Sequence, residues 1–96
     1  MHKLLLKFNA AVIKEYSLDK PAFSVGRKTD NDIVIDNPTV SAHHCKITFV
    51  GDTYFVEDLN STNGTLLNSR ELHGEAELTP GDVIRIGDTE FRFEVS

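Results

Sequence analysis

The clearest fold signal in the chain lies in residues 83–95, VIRIGDTEFRFEV. The Gly-Asp pair in the middle of this stretch favours a tight reversal of the chain. Apolar side chains occupy every second position on both sides of that reversal: Ile84 and Ile86, then Phe91, Phe93 and Val95. A period of two is typical of β-strands that turn one face toward a core and the other toward water. The stretch therefore predicts two short strands joined by a turn.

The rest of the chain repeats this pattern of short apolar runs and turn signals. Leu4, Leu6 and Phe8 again occupy alternate positions, and the short runs 33–35 and 47–50 predict strands covered on both faces. No stretch of eleven or more residues has an apolar stripe at helical spacing. Turn signals recur at Asn9-Ala10, Asp19-Lys20-Pro21, Asn37-Pro38, Gly51-Asp52, 60–64 and Pro80-Gly81-Asp82. Many short strands with turns roughly every 8–12 residues predict an all-β sandwich or barrel.

Length and charge restrict the function. The 96 residues predict a single domain, residues 1–96, because a chain of this size holds one hydrophobic core. The formal net charge is −5, from 10 basic and 15 acidic residues. Nonspecific nucleic-acid binding requires Lys and Arg to neutralise several phosphates, so no nucleic-acid partner is expected. Any anion must be recognised locally, by a few aimed groups.

No segment of the sequence is expected to enter a membrane. The longest apolar runs are residues 4–6 and 10–13. Both are far shorter than the roughly 20 residues of a membrane-spanning helix. The single cysteine, Cys45, cannot form an internal disulfide, which agrees with a reducing compartment. These features predict a cytoplasmic protein, and a monomer is the default expectation.

Three polar segments lie between the predicted strands: 26–28 (GRK), 38–44 (PTVSAHH) and 60–65 (NSTNGT). Loops at one end of a β-sandwich are held by a rigid scaffold, and binding groups gather there. The segments supply a guanidinium, hydroxyls and an amide, all of which donate hydrogen bonds. They are the first candidates for a binding site.

The order and spacing of these segments resemble the forkhead-associated (FHA) domain family. Gly26-Arg27 ends one strand, a Ser-x-x-His follows about fifteen residues later, and an Asn-Gly-Thr some twenty further on. The likeness runs over residues 23–93, roughly three quarters of the chain. It also includes NDIVI at 31–35, DL at 58–59, STNGT at 61–65 and GD at 81–82. The resemblance implies a sandwich of two antiparallel β-sheets with about eleven short strands, and a site formed by the loops after the third, fourth and sixth strands.

The resemblance also implies a function, the recognition of phosphothreonine in an extended segment of a partner protein. Arg27, Ser41 and Thr62 match the positions that reach the phosphate, and Asn63 matches the position that holds the peptide backbone. A guanidinium offers a fixed fork of charged donors, a hydroxyl adds a donor without charge, and an amide both donates and accepts. The partner would be the product of a Ser/Thr kinase, and neither cofactor nor metal is expected.

Further residues are predicted to support this site. Gly26 precedes the arginine, His44 resembles the family's structural histidine beneath the loops, and Gly64 is expected to adopt a positive φ. Lys28 either adds local positive potential or is a solvated lysine. Ala42 stands where many family members carry Arg or Asn, which removes one hydrogen bond to the ligand and costs up to about tenfold in affinity.

Other chemistries fit the sequence less well. In a strand, His43 and Cys45 would share one face and suggest a metal pair, but no second pair of ligands lies at zinc-finger spacing. Ser41 and His44 lie three residues apart in an extended loop, so a nucleophile–base pair is not expected and no enzyme activity is predicted.

Two alternatives stay open. Asn63-Gly64 alone is typical of a type I′ hairpin turn, which does not conflict with a role as a clamp. The rival function is an FHA-fold scaffold or assembly domain that binds its partner without phosphate. Ala42 and the negative net charge favour this rival.

Overall fold

The computed structural model describes the backbone of residues 2–8 and 11–95 and the side chains of residues 14–94. The described chain forms eleven β-strands and no helix. In chain order the strands are β1 (His2–Phe8), β2 (Ala11–Ser17), β3 (Ala22–Gly26), β4 (Ile33–Val34), β5 (Cys45–Val50), β6 (Thr53–Asp58), β7 (Thr65–Leu67), β8 (Arg70–Glu71), β9 (Glu75–Leu78), β10 (Val83–Ile86) and β11 (Thr89–Val95).

The strands form two sheets. One has six strands in the order β2-β1-β11-β10-β7-β8, and the other has five in the order β4-β3-β5-β6-β9. Neighbouring strands in the described chain run antiparallel except β3 and β4, where Val25 lies opposite Ile33 and Gly26 opposite Val34. The prediction of an all-β sandwich of two sheets and about eleven strands is confirmed, with one short parallel pair as an addition.

The core lies between the sheets and follows the alternation predicted from residues 83–95. Ile84 and Ile86 on β10, and Phe91 and Phe93 on β11, are each about 1% exposed, whereas Arg85 between the isoleucines is exposed. The five-stranded sheet supplies the facing side chains, among them Val25, Ile47 and Val56. The alternation predicted at Leu4, Leu6 and Phe8 falls on β1, whose side chains lie outside the described residues.

The prediction that runs 33–35 and 47–50 are covered on both faces is wrong. Val34 is 40% exposed, Phe49 38% and Val50 64%. In a sandwich of two sheets each strand turns one face to the core and the other to solvent, so Val34 of β4 is exposed while Ile33 and Ile35 are buried. Val50 is the last residue of β5, next to the turn around Gly51 that joins β5 to β6. Run 33–35 therefore buries alternate residues like the other strands, whereas in run 47–50 only Ile47 is buried and exposure rises toward the end of β5.

The connection from β6 to β7 crosses from one sheet to the other, because the two strands belong to different sheets. The type I′ hairpin interpretation of Asn63-Gly64 is therefore wrong. Such a turn joins paired strands and needs a positive φ at both central residues. Of the two residues only Gly64 has a positive φ, 80°.

Among the described residues, no helix is long and apolar enough to cross a membrane.

Candidate functional site

Arg27 follows β3 directly and is joined to the loop that carries Ser41. The backbone N–H of Arg27 donates to the Ser41 carbonyl oxygen at 2.9 Å. The next N–H, of Lys28, donates to the Ala42 carbonyl oxygen at 3.3 Å. These two bonds fix the loop after β3 (residues 27–32) against the loop after β4 (residues 35–44).

Gly26 allows this close approach of the two loops. A Cβ built at Gly26 would lie 2.2 Å from the Ala42 carbonyl oxygen and 2.8 Å from Asn31 Nδ2. Asn31 is only 7% exposed, and its Nδ2 donates to the carbonyl oxygens of Lys28 and Ala42, at 2.8 Å in each case. Asn31 belongs to the NDIVI stretch of the family pattern, but that pattern does not indicate this role.

The guanidinium of Arg27 is exposed, and no hydrogen bond or ion pair engages it among the side chains of residues 14–94. Lys28 beside it is also exposed. The nearby carboxylate of Asp30 lies 3.0 Å from His43 Nε2, so it already has a partner. Because Arg27 is not occupied by an internal carboxylate, its donors are available to an anion from solution.

The Ser41 hydroxyl is held by one hydrogen bond and can still donate another. Its Oγ accepts the backbone N–H of Thr62 at 2.9 Å, which joins the loop after β4 to the connection after β6 (residues 59–64). A hydroxyl that accepts one hydrogen bond still has its own proton to donate. Thr62 is exposed, and its backbone N–H lies against the Ser41 hydroxyl.

His44 is fully buried beneath these loops, with 0% of its surface exposed. Its Nδ1 accepts the backbone N–H of Ser41 at 3.1 Å, and its Nε2 lies 2.8 Å from the Gly64 carbonyl oxygen. A carbonyl can only accept, so Nε2 carries the proton and the ring is neutral. His44 therefore links two loops through backbone atoms. Its bond is to the Ser41 amide and not to the Ser41 hydroxyl, so this pair does not have the geometry of a nucleophile and its base.

Asn63 is exposed and held by one of its two amide hydrogens. Its Nδ2 donates to the Thr39 carbonyl oxygen at 2.8 Å. The second hydrogen on Nδ2 and the Oδ1 acceptor stay available. The positive φ predicted for Gly64 is present, and it turns the chain into β7.

Asp58 anchors the start and the end of the connection that carries Thr62 and Asn63. Its carboxylate accepts the Ser61 backbone N–H at 3.1 Å and the hydroxyls of Ser61 and Thr65, each at 2.6 Å. Burial acts to raise the pKa of Asp58, but these hydrogen bonds outweigh it and hold the pKa below its ordinary value of 3.8. Asp58 belongs to the DL stretch at 58–59, which does not by itself indicate this anchoring role.

Asn63 and Gly64 lie between two open depressions. One, of about 290 Å³, is also lined by Thr39, Leu66, Arg85, Gly87 and Asp88. The other, of about 730 Å³, lies between the 59–64 connection and the chain around Glu71, Leu72 and His73.

The expectation that His43 and Cys45 share one face is wrong. Residues 41–44 precede β5 and are not part of it, so strand alternation does not apply to them. His43 is exposed and contacts Asp30, whereas Cys45 is 0% exposed. Burial, with the nearby Asp58 charge, raises the pKa of the Cys45 thiol to about 12, so it remains protonated and apolar in character. In the part of the chain with described side chains, no three His, Cys, Asp or Glu residues are grouped to share a metal ion.

A two-sheet β-sandwich whose loops gather free hydrogen-bond donors belongs to the broad class of β-sandwich recognition domains. The family model of the FHA domain matches residues 23–87, well over half of the chain. The chain therefore belongs to the FHA domain family, whose members are interaction modules.

Relatives support this assignment over most of the chain. The transcriptional regulatory protein EmbR of Mycobacterium tuberculosis is 42% identical over 81 residues, which cover 84% of this chain and 21% of EmbR. The glycogen accumulation regulator GarA of Mycolicibacterium smegmatis is 38% identical over 84 residues, which cover 88% of this chain and 52% of GarA. The chain thus spans about a fifth to a half of the length of these relatives.

Solved structures similar to this chain also support its place in the FHA domain family. Mycobacterium tuberculosis EmbR in complex with a low-affinity phosphopeptide has a TM-score of 0.88 at 38% identity, covering 98% of this chain and 24% of that one. A domain from a structural and functional study of phosphothreonine-dependent FHA domain interactions has the same TM-score at 32% identity, covering 99% of this chain and 96% of that one.

Proposed function

We propose that this chain binds a phosphothreonine in an extended segment of a partner protein. One observation carries the proposal. The Arg27 guanidinium has no partner among the described side chains, and Arg27 belongs to a loop that is hydrogen-bonded to Ser41. The Ser41 hydroxyl accepts the Thr62 amide N–H and keeps its own proton free. A cation on a loop joined to two loops that carry hydroxyls suits a tetrahedral group that carries up to two negative charges and three strong acceptor oxygens.

Arg27 supplies the charge in this proposal, and Ser41 and Thr62 add neutral donors. A hydrogen bond between a guanidinium and a phosphate contributes roughly 1.5–3 kcal/mol. Lys28, exposed and adjacent, adds positive potential without a defined contact. This local charge acts against the formal net charge of −5, so recognition depends on the aimed groups.

Asn63 holds the peptide backbone in this proposal. The free N–H and Oδ1 of its amide match the carbonyl and N–H of one peptide unit in an extended chain. The depressions on both sides of Asn63 leave room for the residues that flank that unit. Gly26, His44 and Gly64 act through the backbone, because they let the loops approach and keep them in place.

The interaction is reversible and controlled by a Ser/Thr kinase that modifies the partner. The chain acts as a monomeric cytoplasmic binding module and uses no cofactor, metal or nucleic acid. The complex of EmbR with a phosphopeptide supports this proposal by similarity.

A second candidate is a scaffold domain that binds its partner without phosphate. Ala42 favours it, because a methyl group stands where a donor toward the ligand would otherwise lie. The free Arg27 guanidinium favours the phosphate-dependent function instead.

Titration of matched peptides separates the two candidates. A phosphothreonine peptide selected from an oriented library and the same peptide without phosphate are titrated into the protein by calorimetry. We expect the phosphorylated peptide to bind at least about a hundredfold more tightly, since two or more charge-assisted hydrogen bonds are lost without the phosphate. Equal affinity for both peptides would identify the scaffold function.

A further inference from the structure

Thr39, two residues before Ser41, makes hydrogen bonds within its own loop and to two other segments of the chain. Its carbonyl oxygen accepts a hydrogen bond from Asn63 Nδ2 at 2.8 Å. Its hydroxyl accepts the backbone N–H of Asp88 at 3.1 Å, in the turn between β10 and β11. The same hydroxyl donates to Asn37 Oδ1 at 2.6 Å, and the Thr39 N–H donates to that oxygen at 2.9 Å. One residue thus connects the candidate clamp to the β10–β11 turn and to its own loop.

Gly87, next to Asp88 in the β10–β11 turn, lies close to Thr39. A Cβ built at Gly87 would lie 2.3 Å from Thr39 Oγ1 and 3.0 Å from the Thr39 carbonyl oxygen. Gly87 also has a φ of 59°, a conformation that glycine adopts without strain. Hydrogen bonds and this close contact together fix the carbonyl that holds Asn63.

We propose that Thr39 is the positioning residue of the peptide clamp. The inference rests on the proposed function and deepens it. By fixing one N–H of the Asn63 amide, Thr39 orients the other N–H and the Oδ1 toward the peptide before it arrives. An amide that is already oriented loses less conformational entropy on binding, so the affinity for the peptide is higher.

Thr39 supports the clamp and not the candidate phosphate-binding residues. Thr39 makes none of its described hydrogen bonds to Arg27, Ser41 or Thr62. A defect at Thr39 therefore weakens binding of a peptide and leaves binding of a bare phosphate unchanged. A defect in the general order of the loops weakens both.

The first test replaces the hydroxyl of Thr39. Thr39→Val keeps the shape but leaves the Asp88 N–H without its acceptor, so we expect a phosphothreonine peptide to bind about tenfold more weakly. Inorganic phosphate, followed through the amide resonances of Arg27 and Ser41, should bind as it does to the wild type. Thr39→Ser keeps the hydroxyl and should restore most of the lost affinity. Thr48→Val makes the same chemical change on β5, away from the loops, and serves as the control.

The second test uses two glycines. Gly87 and Gly51 have nearly the same φ, 59° and 62°, so alanine at either position causes similar backbone strain. Only at position 87 does the added Cβ meet Thr39, because nothing lies within 4 Å of a Cβ at position 51. Gly87→Ala should therefore weaken peptide binding several-fold relative to Gly51→Ala.

Three results would overturn the inference. The first is phosphopeptide binding by folded Thr39→Val and Gly87→Ala proteins that is as tight as that of their controls, which would show that Thr39 has no positioning role. Equal losses for peptide and inorganic phosphate would show loosening of the whole site. A wild type that binds neither phosphopeptide nor phosphate would refute the proposed function and this inference with it, and that outcome is visible before any variant is made.

Discussion

Ser41 makes hydrogen bonds to neighbouring segments through three different atoms. Its carbonyl oxygen accepts the Arg27 N–H, its own N–H donates to His44 Nδ1, and its Oγ accepts the Thr62 N–H. Two of these contacts use the backbone and do not depend on the side chain. Substitution by alanine therefore removes the hydroxyl and its bond to Thr62 while the two backbone connections to Arg27 and His44 stay in place.

Ser41→Ala should weaken phosphopeptide binding by roughly 1–3 kcal/mol, because the phosphate loses a donor and the Thr62 N–H loses its acceptor. Calorimetric titration measures the affinity, and thermal unfolding should show only a small change in Tm. Ser17→Ala, at an exposed position on β2, is the control. Unchanged affinity in Ser41→Ala would show that the hydroxyl does not face the ligand.

Single residues differ in how far the sequence predicts them. Arg27 and Ser41 belong to motifs with a fixed order, so a role in the site could be predicted for them from the family resemblance. Asn31 and Asp58 also lie in stretches of that pattern, but the pattern does not indicate the hydrogen bonds through which they act. The role of Thr39 depends on a bond from Asn63, 24 residues away. Bonds of this kind have no periodicity, and only the folded chain reveals them.

At the scale of elements, the end of β3 and the loop that follows it form the base of the site. Gly26 closes β3, and Asn31 holds the loop by donating to two carbonyl oxygens. The Oδ1 of Asn31 is buried and has no partner among the described atoms. The position of Arg27 is therefore set by packing and by backbone hydrogen bonds.

Gly26→Ala should disturb this base, since its Cβ would lie 2.2 Å from the Ala42 carbonyl oxygen. We expect a loss of roughly 1–3 kcal/mol in the free energy of unfolding, as for other overpacked sites, together with much weaker phosphopeptide binding. Urea denaturation measures the first and titration the second. Gly51→Ala, where a Cβ has nothing within 4 Å and only the φ of 62° is strained, should keep its affinity. Wild-type binding by Gly26→Ala would show that the loop contact does not position Arg27.

The existence and alternation of most strands could be predicted, but their place in the sheets could not. β10 and β11 bury alternate residues as residues 83–95 predict. The runs 33–35 and 47–50 suggested strands covered on both faces, and exposed Val34 and Val50 show otherwise. Whether one or both faces of a strand are covered depends on how many layers stack, which contacts between distant segments determine and local pattern does not.

At the scale of the whole molecule, the site exists because the chain changes sheets. β3, β5 and β6 are neighbours in the five-stranded sheet, whereas β7 and β10 belong to the other. Their connecting loops therefore meet across the end of the sandwich, and Asp58, at the end of β6, holds the connection between the sheets. The stability of the fold and the geometry of the site are coupled at this carboxylate.

Asp58 makes the stability depend on pH. Its pKa in the folded protein lies below the ordinary value of 3.8, so its contribution to stability is present above that value and is lost as the pH falls through the folded pKa. Asp58→Asn should lower the free energy of unfolding at pH 7 by roughly 1–3 kcal/mol. The difference from the wild type should shrink below about pH 4.

Urea denaturation of both proteins from pH 7 to about pH 3 measures this difference. Asp52→Asn, at an exposed position between β5 and β6, is the control. A difference that stays constant over the whole pH range would show that the charge of Asp58 is not what stabilises the connection.

The central claim is that the free guanidinium of Arg27 binds the phosphate. The most direct measurement is the affinity of one phosphothreonine peptide for the wild type, Arg27→Ala and Arg70→Ala, whose changed residue is exposed on β8. We predict that Arg27→Ala abolishes detectable binding while its Tm stays near that of the wild type, and that Arg70→Ala binds normally. Binding of the phosphopeptide by folded Arg27→Ala at wild-type strength would contradict the account.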